Sequence, residues 1–296
     1  MPIHVRFWGV RGSIPTPGPS TRRYGGNTSC VEVRTPEARF ILDAGSGLRE
    51  LGLRMVREAA GEPTTSHLLL SHAHWDHIQG FPFFGPAYNP ATTLRVYGTE
   101  PGDDRFHRLL SGQMDSAYFP VQFSDLAGSI VADHLDGGRR QVDDAVVSVL
   151  PVCHPGGSLS YRIQLGGQSV VYSTDNELDL VIENPEDDAH PSILRRLPAD
   201  LVDFVRGADL LIADGQYTDA EYPKHRNWGH SRATTVVDLA VAAQVRQVAI
   251  FHHDPMQSDA EVDAKVDACR QRAAALGAPG LSIFGAREGI ELRITG

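Results

Sequence analysis

Apolar and polar residues alternate over 3–8 (IHVRFW) and 29–34 (SCVEVR), the period-two pattern of half-buried strands. A shorter run at 39–43 (RFILD) reads as a third strand. The period then changes. Within 47–59, Leu48, Leu51, Met55 and Val56 fall on one stripe, which predicts a helix. Strand signals return at 67–71, 93–97 and 146–152, then at 159–165 and 169–174, where Gly166-Gly167 joins the last two as a hairpin. The pattern next predicts a helix over 191–206, a strand over 208–213, a helix over 231–243 and a strand over 247–252. A long helix over 259–276 opens with Ser258 and Glu261 in capping-box spacing and closes at Gly277. Strands at 281–284 and 289–294 end the chain. No repeat, linker or low-complexity tract divides it, so 1–296 is expected to be a single domain. Strand-rich halves separated by helices point to an α/β fold with two sheets and helices outside.

Composition adjusts this picture in three ways. The 296 residues are 41% hydrophobic and 22% charged, which suits a full core. No apolar run approaches the roughly 18 residues a span needs, so no membrane partner is expected. The opening MPIHVRFWGVRG reads as a strand rather than a signal peptide, and Cys30, Cys153 and Cys269 show no C-x-x-C spacing. A reducing, cytoplasmic location is expected, with the thiols acting as small buried hydrophobes. The net charge of −10 argues against broad binding to nucleic-acid backbone. A small phosphate ester is still compatible, because divalent ions make a site locally positive.

Candidate chemistry concentrates in one hexapeptide. His72-Ala73-His74-Trp75-Asp76-His77 follows the apolar run Leu68-Leu69-Leu70 and carries three of the chain's 13 histidines. Imidazoles with a carboxylate suit zinc and similar metals. Four ligands on one short loop cannot converge on one ion without strain. Dividing them, His72 and His74 to one ion and Asp76 and His77 to another, is easier, and a two-metal site points to hydrolysis. Two ions need more ligands, and three residues stand at predicted strand ends: His154, Asp175 and His252. Alone, each reads as a backbone-bonded His or a turn Asp. Asp175 has two oxygens with which to bridge. Strand alternation allows only one of His252 and His253 to face the metals.

With these motifs assembled, the sequence resembles the metallo-β-lactamase superfamily, closest to its phosphodiesterase branch of tRNase Z-like and PhnP-like proteins. The resemblance runs over nearly the whole chain. It rests on FWGVRGSIPTPG, ILDAG with Asp43, SHAHWDHIQG, CHPGG, YSTDNE and the stretch from LLIADGQYT through WGHSRATT to VAIFHHDP. It implies a four-layer αββα sandwich. It implies His72, His74 and His154 on a first ion, and Asp76, His77 and His252 on a second, with Asp175 bridging. Asp76 counts among the catalytic residues as well. In the resemblance His230 contacts the phosphate or protonates the leaving oxygen. The residues agree, since Gly229-His230-Ser231 begins a predicted helix whose N-terminus favours an anion. Asp214, at a strand end, is placed to orient His230. His253 and Asp254 are expected behind the ligands, and Asp43 is expected to hold a ligand His in its tautomer.

Departures from the family shape the functional expectation. No cysteine joins the ligand set, and there is no N-terminal cysteine cluster. The long arm of tRNase Z is missing, since only 20 residues separate His154 from Asp175. The expected activity is therefore dinuclear-metal phosphodiester hydrolysis of a small diester, first a 3′,5′-cyclic nucleotide (cAMP or cGMP). A nucleic-acid polymer is not the expected partner, and a homodimer is left open. Two divalent ions per chain are expected, Zn2+ first, with Mn2+ or Fe2+ as alternatives. The rival readings are tRNase Z-like RNA processing, 2′,3′-cyclic phosphate, lactone or thioester hydrolysis, and a metal- or nucleotide-binding module without turnover. Arg11, Arg22, Arg23, Lys224 and Arg226 are candidate phosphate contacts, with solvated surface charge as the plainer reading. Trp75 lines the pocket or stacks a base, or else supports its loop. The aromatic segments 81–90 and 116–123 form a lid or partner surface, or else pack in the core.

Overall fold

The strand signals of the first half gather into one sheet. The structure, a computed structural model, describes residues 2–98, 105–135, 138–188 and 190–295. Strands β1 (Ile3–Gly9), β2 (Cys30–Arg34), β3 (Arg39–Leu42), β4 (Thr64–Leu69), β5 (Thr92–Gly98) and β6 (Ser129–His134) lie side by side in chain order. The last strand, β14 (Glu291–Ile294), returns to pair with β1. The second half builds the other sheet from β7 (Arg139–Val142), β8 (Ala145–Val152), β9 (Ser158–Leu165), β10 (Gln168–Ser173), β11 (Leu210–Asp214), β12 (Gln247–Phe251) and β13 (Ser282–Gly285). Among the described residues each sheet has seven strands. In each, an antiparallel part turns parallel, at β3–β4 in the first and β10–β11 in the second.

Helices cover both outer faces. The first sheet carries α1 (Leu48–Ala59), the single turn α2 (Trp75–Ile78) and α3 (Arg105–Gly112). The second carries α4 (Ala199–Val205), α5 (Ala233–Ala242) and α6 (Asp259–Ala275). Three apolar layers separate the four structural ones. Between the sheets lie Phe7, Val33, Leu42, Tyr161, Tyr172 and Phe251. Ile41, Leu51, Met55 and Phe84 fill the space under α1. Val171, Leu211, Val236, Ile250 and Val266 fill the space under α5 and α6. Alternation along β1 puts Ile3, Val5 and Phe7 inside, and neighbours in β3 divide between two layers, Phe40 and Leu42 to one and Ile41 to the other. This is the expected αββα sandwich. Among the described residues, no helix is long and apolar enough to cross a membrane.

Several local expectations are corrected. The helix expected over 191–206 forms only as Ala199–Val205. Pro198 caps it, and a residue before proline is driven out of the helical region. The preceding segment is held by side chains instead: Arg195 N donates to Asp238 Oδ1 at 2.7 Å, and Arg196 N to Asn184 Oδ1 at 2.6 Å. Two largely exposed edge strands escaped prediction: in β6 (SIVADH) the apolar residues run together instead of alternating, and β7 (RRQV) is mostly polar. In 81–90, Phe81 and Phe84 are core residues against α1, while Phe83 and Tyr88 are exposed; in 116–123, Tyr118 is exposed. The long helix keeps its expected cap, with the Ser258 hydroxyl and the Glu261 carboxylate bonded to each other's backbone amides.

Asp238 of α5 ties three elements together. Its fully buried carboxylate accepts from Arg195 N, from the Arg195 guanidinium at 3.2 Å and from Arg272 Nε of α6 at 3.0 Å. Removing one member of such a group strands the others' charge. Asp238→Ala is expected to cost about 3–5 kcal/mol of unfolding free energy, read by urea denaturation with circular dichroism. A loss below about 1 kcal/mol, the range of exposed pairs, would show that the network is dispensable.

Candidate metal centre

The parallel strands all run toward one edge, and the polar residues at their ends meet there. β4 leaves its sheet at Leu70, and the hexapeptide follows at once. His74 is the extended N-cap residue of the one-turn α2, so Asp76 and His77 of that turn are buried while Trp75 stays exposed. His154 follows β8, Asp175 follows β10, and His252 comes directly after β12. Backbone strain gathers at the same edge. Ser13, Asp43, Asp175 and His252 adopt left-handed φ of 64°, 61°, 47° and 57°. Each such residue costs on the order of 1–3 kcal/mol and persists only where surrounding structure enforces it. At His252 the left-handed turn breaks the strand's alternation.

Two groups of ligand atoms share one carboxylate. On one side, His74 Nδ1 lies 3.1 Å from His154 Nε2, and His72 Nε2 and His154 Nε2 lie 3.5 and 3.7 Å from Asp175 Oδ2. On the other, His252 Nε2 is 3.1 Å from Asp76 Oδ2 and 3.3 Å from His77 Nε2. Both His77 Nε2 and His252 Nε2 are 3.2 Å from Asp175 Oδ1. The two oxygens of Asp175 thus face different histidine groups.

The outer ring nitrogens set the tautomers. His77 Nδ1 donates to Asp43 Oδ2 at 2.7 Å, His154 Nδ1 to Gly229 O at 2.9 Å and His252 Nδ1 to Gln216 Oε1 at 2.9 Å. Ser71 Oγ donates to Asp43 Oδ2 and accepts from His72 Nδ1 at 3.1 Å. In each neutral ring this leaves the lone pair on the inner nitrogen, as a metal ligand must have it. His72 Nε2 is buried without a hydrogen-bond partner. Burial, and then the charge of His77, hold the His72 imidazolium down to about 2. Burial also lowers His154. At His77 burial works against charge, but Asp175, Asp76 and Asp43 outweigh it and raise the imidazole well above its ordinary value. The carboxylates draw positive charge to this point, and the unpartnered His72 Nε2 beside them fits a cation there. Close approach excludes larger residues beside it. A Cβ at Gly12 would stand 2.4 Å from His252 Cε1, and one at Gly229 would stand 2.1 Å from His154 Nδ1.

His230 adjoins the second group, its ring stacked on His252 at 4.9 Å. Its Nδ1 donates to Asp214 Oδ2 at 2.7 Å. Burial opposes the imidazolium, but Asp214, by charge and hydrogen bond, followed by Asp175 and Asp76, lifts it to about 9. The helix-terminus argument for His230 is corrected. α5 starts at Ala233, and Asp179 already occupies its N-terminus, accepting from Arg232 N at 2.7 Å and Thr235 Oγ1 at 2.6 Å. That carboxylate takes the place an incoming anion would need.

The remaining candidates divide. His253 faces away, with Nε2 donating to Ala286 O at 2.9 Å and its ring against Tyr24. Asp254 accepts from Gln216 Nε2 at 3.1 Å, behind His252. Arg11 is neither surface charge nor phosphate contact: it is fully buried and bonds the carbonyls of Gly25, Asp254 and Gln257. Arg23 is spent on Asp259 and Asp263. Arg22, Lys224 and Arg226 are exposed. Sequence reasoning missed Gln216, Ser13, whose amide donates to Asp76 Oδ2 at 2.8 Å, and Glu177, whose fully buried carboxylate accepts from Gly229 N at 2.7 Å. Only their nearness to the motif residues Asp214, Gly12 and Asp175 signals them.

Comparisons with known proteins agree with this geometry. The Beta-lactamase superfamily domain matches residues 38–253. Ribonuclease Z of Natronomonas pharaonis is 25% identical, over 89% of this chain and 92% of its own length. The metallo-beta-lactamase fold protein YhfI from Bacillus subtilis superposes with a TM-score of 0.67 at 18% identity, over 99% of both chains. A diphosphatase from the PhnP family gives 0.64 at 17% identity, over 99% of this chain and 98% of its own. The expectation that no nucleic-acid polymer is a partner is overturned by the first of these, a relative over nearly its full length that is named for ribonuclease action. Net charge is a whole-chain sum and does not describe the field at a site that gathers cations. With the matched domain spanning both sheets and every ligand candidate lying within it, the chain belongs to the beta-lactamase superfamily, as a metal-dependent hydrolase of metallo-β-lactamase fold.

Proposed function

We propose that this chain, acting as one unit over 1–296, is a two-metal phosphodiesterase whose first substrate class is the phosphodiester of RNA. The observation that carries the chemistry is Asp175, with Oδ2 toward His72 and His154 and Oδ1 toward His77 and His252. Support for the substrate comes from the relative named Ribonuclease Z. In this reading His72, His74, His154 and Asp175 hold one ion, and Asp76, His77, His252 and Asp175 hold the other. Zinc suits the nitrogen-rich set best. When bound, the ions supply Lewis-acid charge and an acidified water for in-line attack on phosphorus.

The chain's own residues do the rest. Asp43 and Gln216 hold His77 and His252 in the tautomers that turn Nε2 inward. His230 donates Nδ1–H to Asp214, and the charge of that carboxylate lifts the imidazolium to about 9, so Nε2 also carries a proton at neutral pH. That proton passes to the leaving oxygen as the P–O bond breaks, and Asp214 steadies the ring before and after transfer. A second reading, a 3′,5′-cyclic nucleotide, has one observation in its favour. Between His154 and Asp175 the chain forms only the hairpin β9–β10, turned at Gly166-Gly167. That leaves the mouth open to a compact diester.

Zinc-loaded protein tested on a 3′-extended tRNA precursor, 3′,5′-cAMP and 2′,3′-cAMP across a salt series decides between them. The RNA reading expects precursor cleavage that falls steeply with salt, as phosphate-tracking does. Turnover of 3′,5′-cAMP alone, weakly dependent on salt, selects the second reading. No turnover on any of the three removes both.

Metal analysis of metal-replete protein should find two ions per chain, and His72→Ala or Asp76→Ala should each lose one ion with most of the activity. A single ion in the native protein would refute the shared-carboxylate arrangement.

His230→Ala should keep both ions and lower turnover by about 10²–10⁴-fold. Because Asp214 raises His230, the acid form persists through neutral pH, and the rate should fall on the alkaline side. Asp214→Asn removes the raising charge, so that limb should move to lower pH. An alkaline limb that survives His230→Ala unchanged belongs to another group.

A further inference from the structure

Of the chain's three tryptophans, two stand in solvent beside the metal centre. Trp8 is engaged, with its indole N–H on Glu32 and the Arg6 guanidinium 4.5 Å above its ring. Trp75 is 64% exposed next to His74, and Trp228 is 61% exposed next to Gly229. A single exposed ring is ordinary on a surface, so what marks one of these is how firmly it is held beside the site.

Trp228 is displayed firmly. Three groups of the loop 222–229 converge on the buried Glu177: Tyr222 OH at 2.8 Å, Asn227 N at 2.7 Å and Gly229 N at 2.7 Å. Asn227 takes a left-handed φ of 69° to make this turn. Aromatic rings then form a ladder from the site to the surface. Tyr217 lies edge-on to His230 at 6.0 Å and stacks on His225 at 4.4 Å and 12°. His225 meets Trp228 at 4.8 Å and 82°. Gly229, the next residue, gives its carbonyl to His154. The outer indole is thus tied by ring contacts to His230 and by the chain to the group that orients His154. Lys224 and Arg226 stand exposed on the same turn of an otherwise acidic chain. A held aromatic face flanked by cations is the pattern that receives single nucleotides, base on ring and phosphate on charge.

We infer that Trp228 is a stacking platform for a nucleobase next to the scissile phosphate, and so a specificity-determining residue of this site. The inference rests on the phosphodiesterase reading and narrows its substrates to nucleotide diesters. Any base has a π-face, so the platform selects nucleosides over alkyl esters without reading sequence.

Two p-nitrophenyl diesters that share a leaving group test it on the zinc-loaded full chain: thymidine 5′-(p-nitrophenyl phosphate), which carries a base, and methyl p-nitrophenyl phosphate, which does not. Trp228→Ala should lower kcat/KM for the thymidine ester by roughly 5- to 150-fold more than for the methyl ester, mainly through KM. Trp228→Phe, which keeps a ring, should recover most of the difference. Equal losses on both esters would overturn the platform and leave the hydrolase reading standing. Binding supplies a readout that needs no turnover. Thymidine 5′-monophosphate should quench the protein's tryptophan fluorescence, and Trp228→Phe should remove most of that quench. An undiminished quench in Trp228→Phe would overturn the platform. No turnover of either ester, with a quench that depends on Trp228, would sink the phosphodiesterase reading and keep the platform.

Discussion

The structure is organised around a carboxylate buried where its two sheets meet. Asp43 ends β3 in a left-handed conformation and is fully buried. Its oxygens accept from Ser71 N at 2.7 Å, Ser71 Oγ at 2.8 Å, His77 Nδ1 at 2.7 Å and Tyr172 OH at 2.7 Å. Ser71 and His77 belong to the metal loop, and Tyr172 belongs to the facing sheet. An unpaired carboxylate here would cost several kcal/mol, so the loop, the facing sheet and the ligand ring must sit where these donors can reach it. The same bonds that satisfy the charge orient His77 and, through Ser71, His72. Stability and site geometry therefore share one cause at this point.

Around that anchor the protein accepts local cost. Four residues at the site hold left-handed backbone, and His72 Nε2 is buried without a partner. Asp76 and Asp175 are buried among imidazoles, which together keep both carboxyls below the ordinary range even though burial pushes the other way. Close approaches of Gly12 to His252 and Gly229 to His154 leave no room for a side chain. Each feature is unfavourable in a protein that only needs to fold. Together they form a ring of imidazole nitrogens and negative charge of the kind that bound metal relieves. The three apolar layers of the sandwich supply the stability that lets this strain persist.

Distance from the candidate ligands sorts the remaining polar groups. Gln216, Asp254, Gln257 and Lys265 form a chain of hydrogen bonds from α6 to the back of His252. Glu177 performs a similar task on the other side, holding the loop whose Gly229 carbonyl orients His154. These groups determine direction rather than chemistry. Arg11 in the Gly-rich opening is likewise structural rather than a phosphate contact. Arg11 is used to join the opening loop to the segment after His253.

By itself the sequence determined the alternating and helical periods, and with them two sheets and most of the helices, because burial of a face leaves a repeating mark along the chain. It also marked the candidate ligand types, because His72, His74, Asp76 and His77 are packed too densely to have an ordinary structural reason. Where a mark was missing, reading failed: β6 and β7 are exposed edge strands without an alternating apolar face, and 191–198 is held by Asp238 and Asn184 rather than by helical bonds. Only the tertiary structure decided how the ligands divide. That Asp175 faces both groups, that His252 rather than His253 turns inward, that Asp179 fills the α5 terminus and that Arg11 is buried all depend on contacts between residues far apart in the chain. Local pattern records which face of an element is buried. It carries no record of which distant side chain waits there, and the chemistry of this site consists of those long-range meetings.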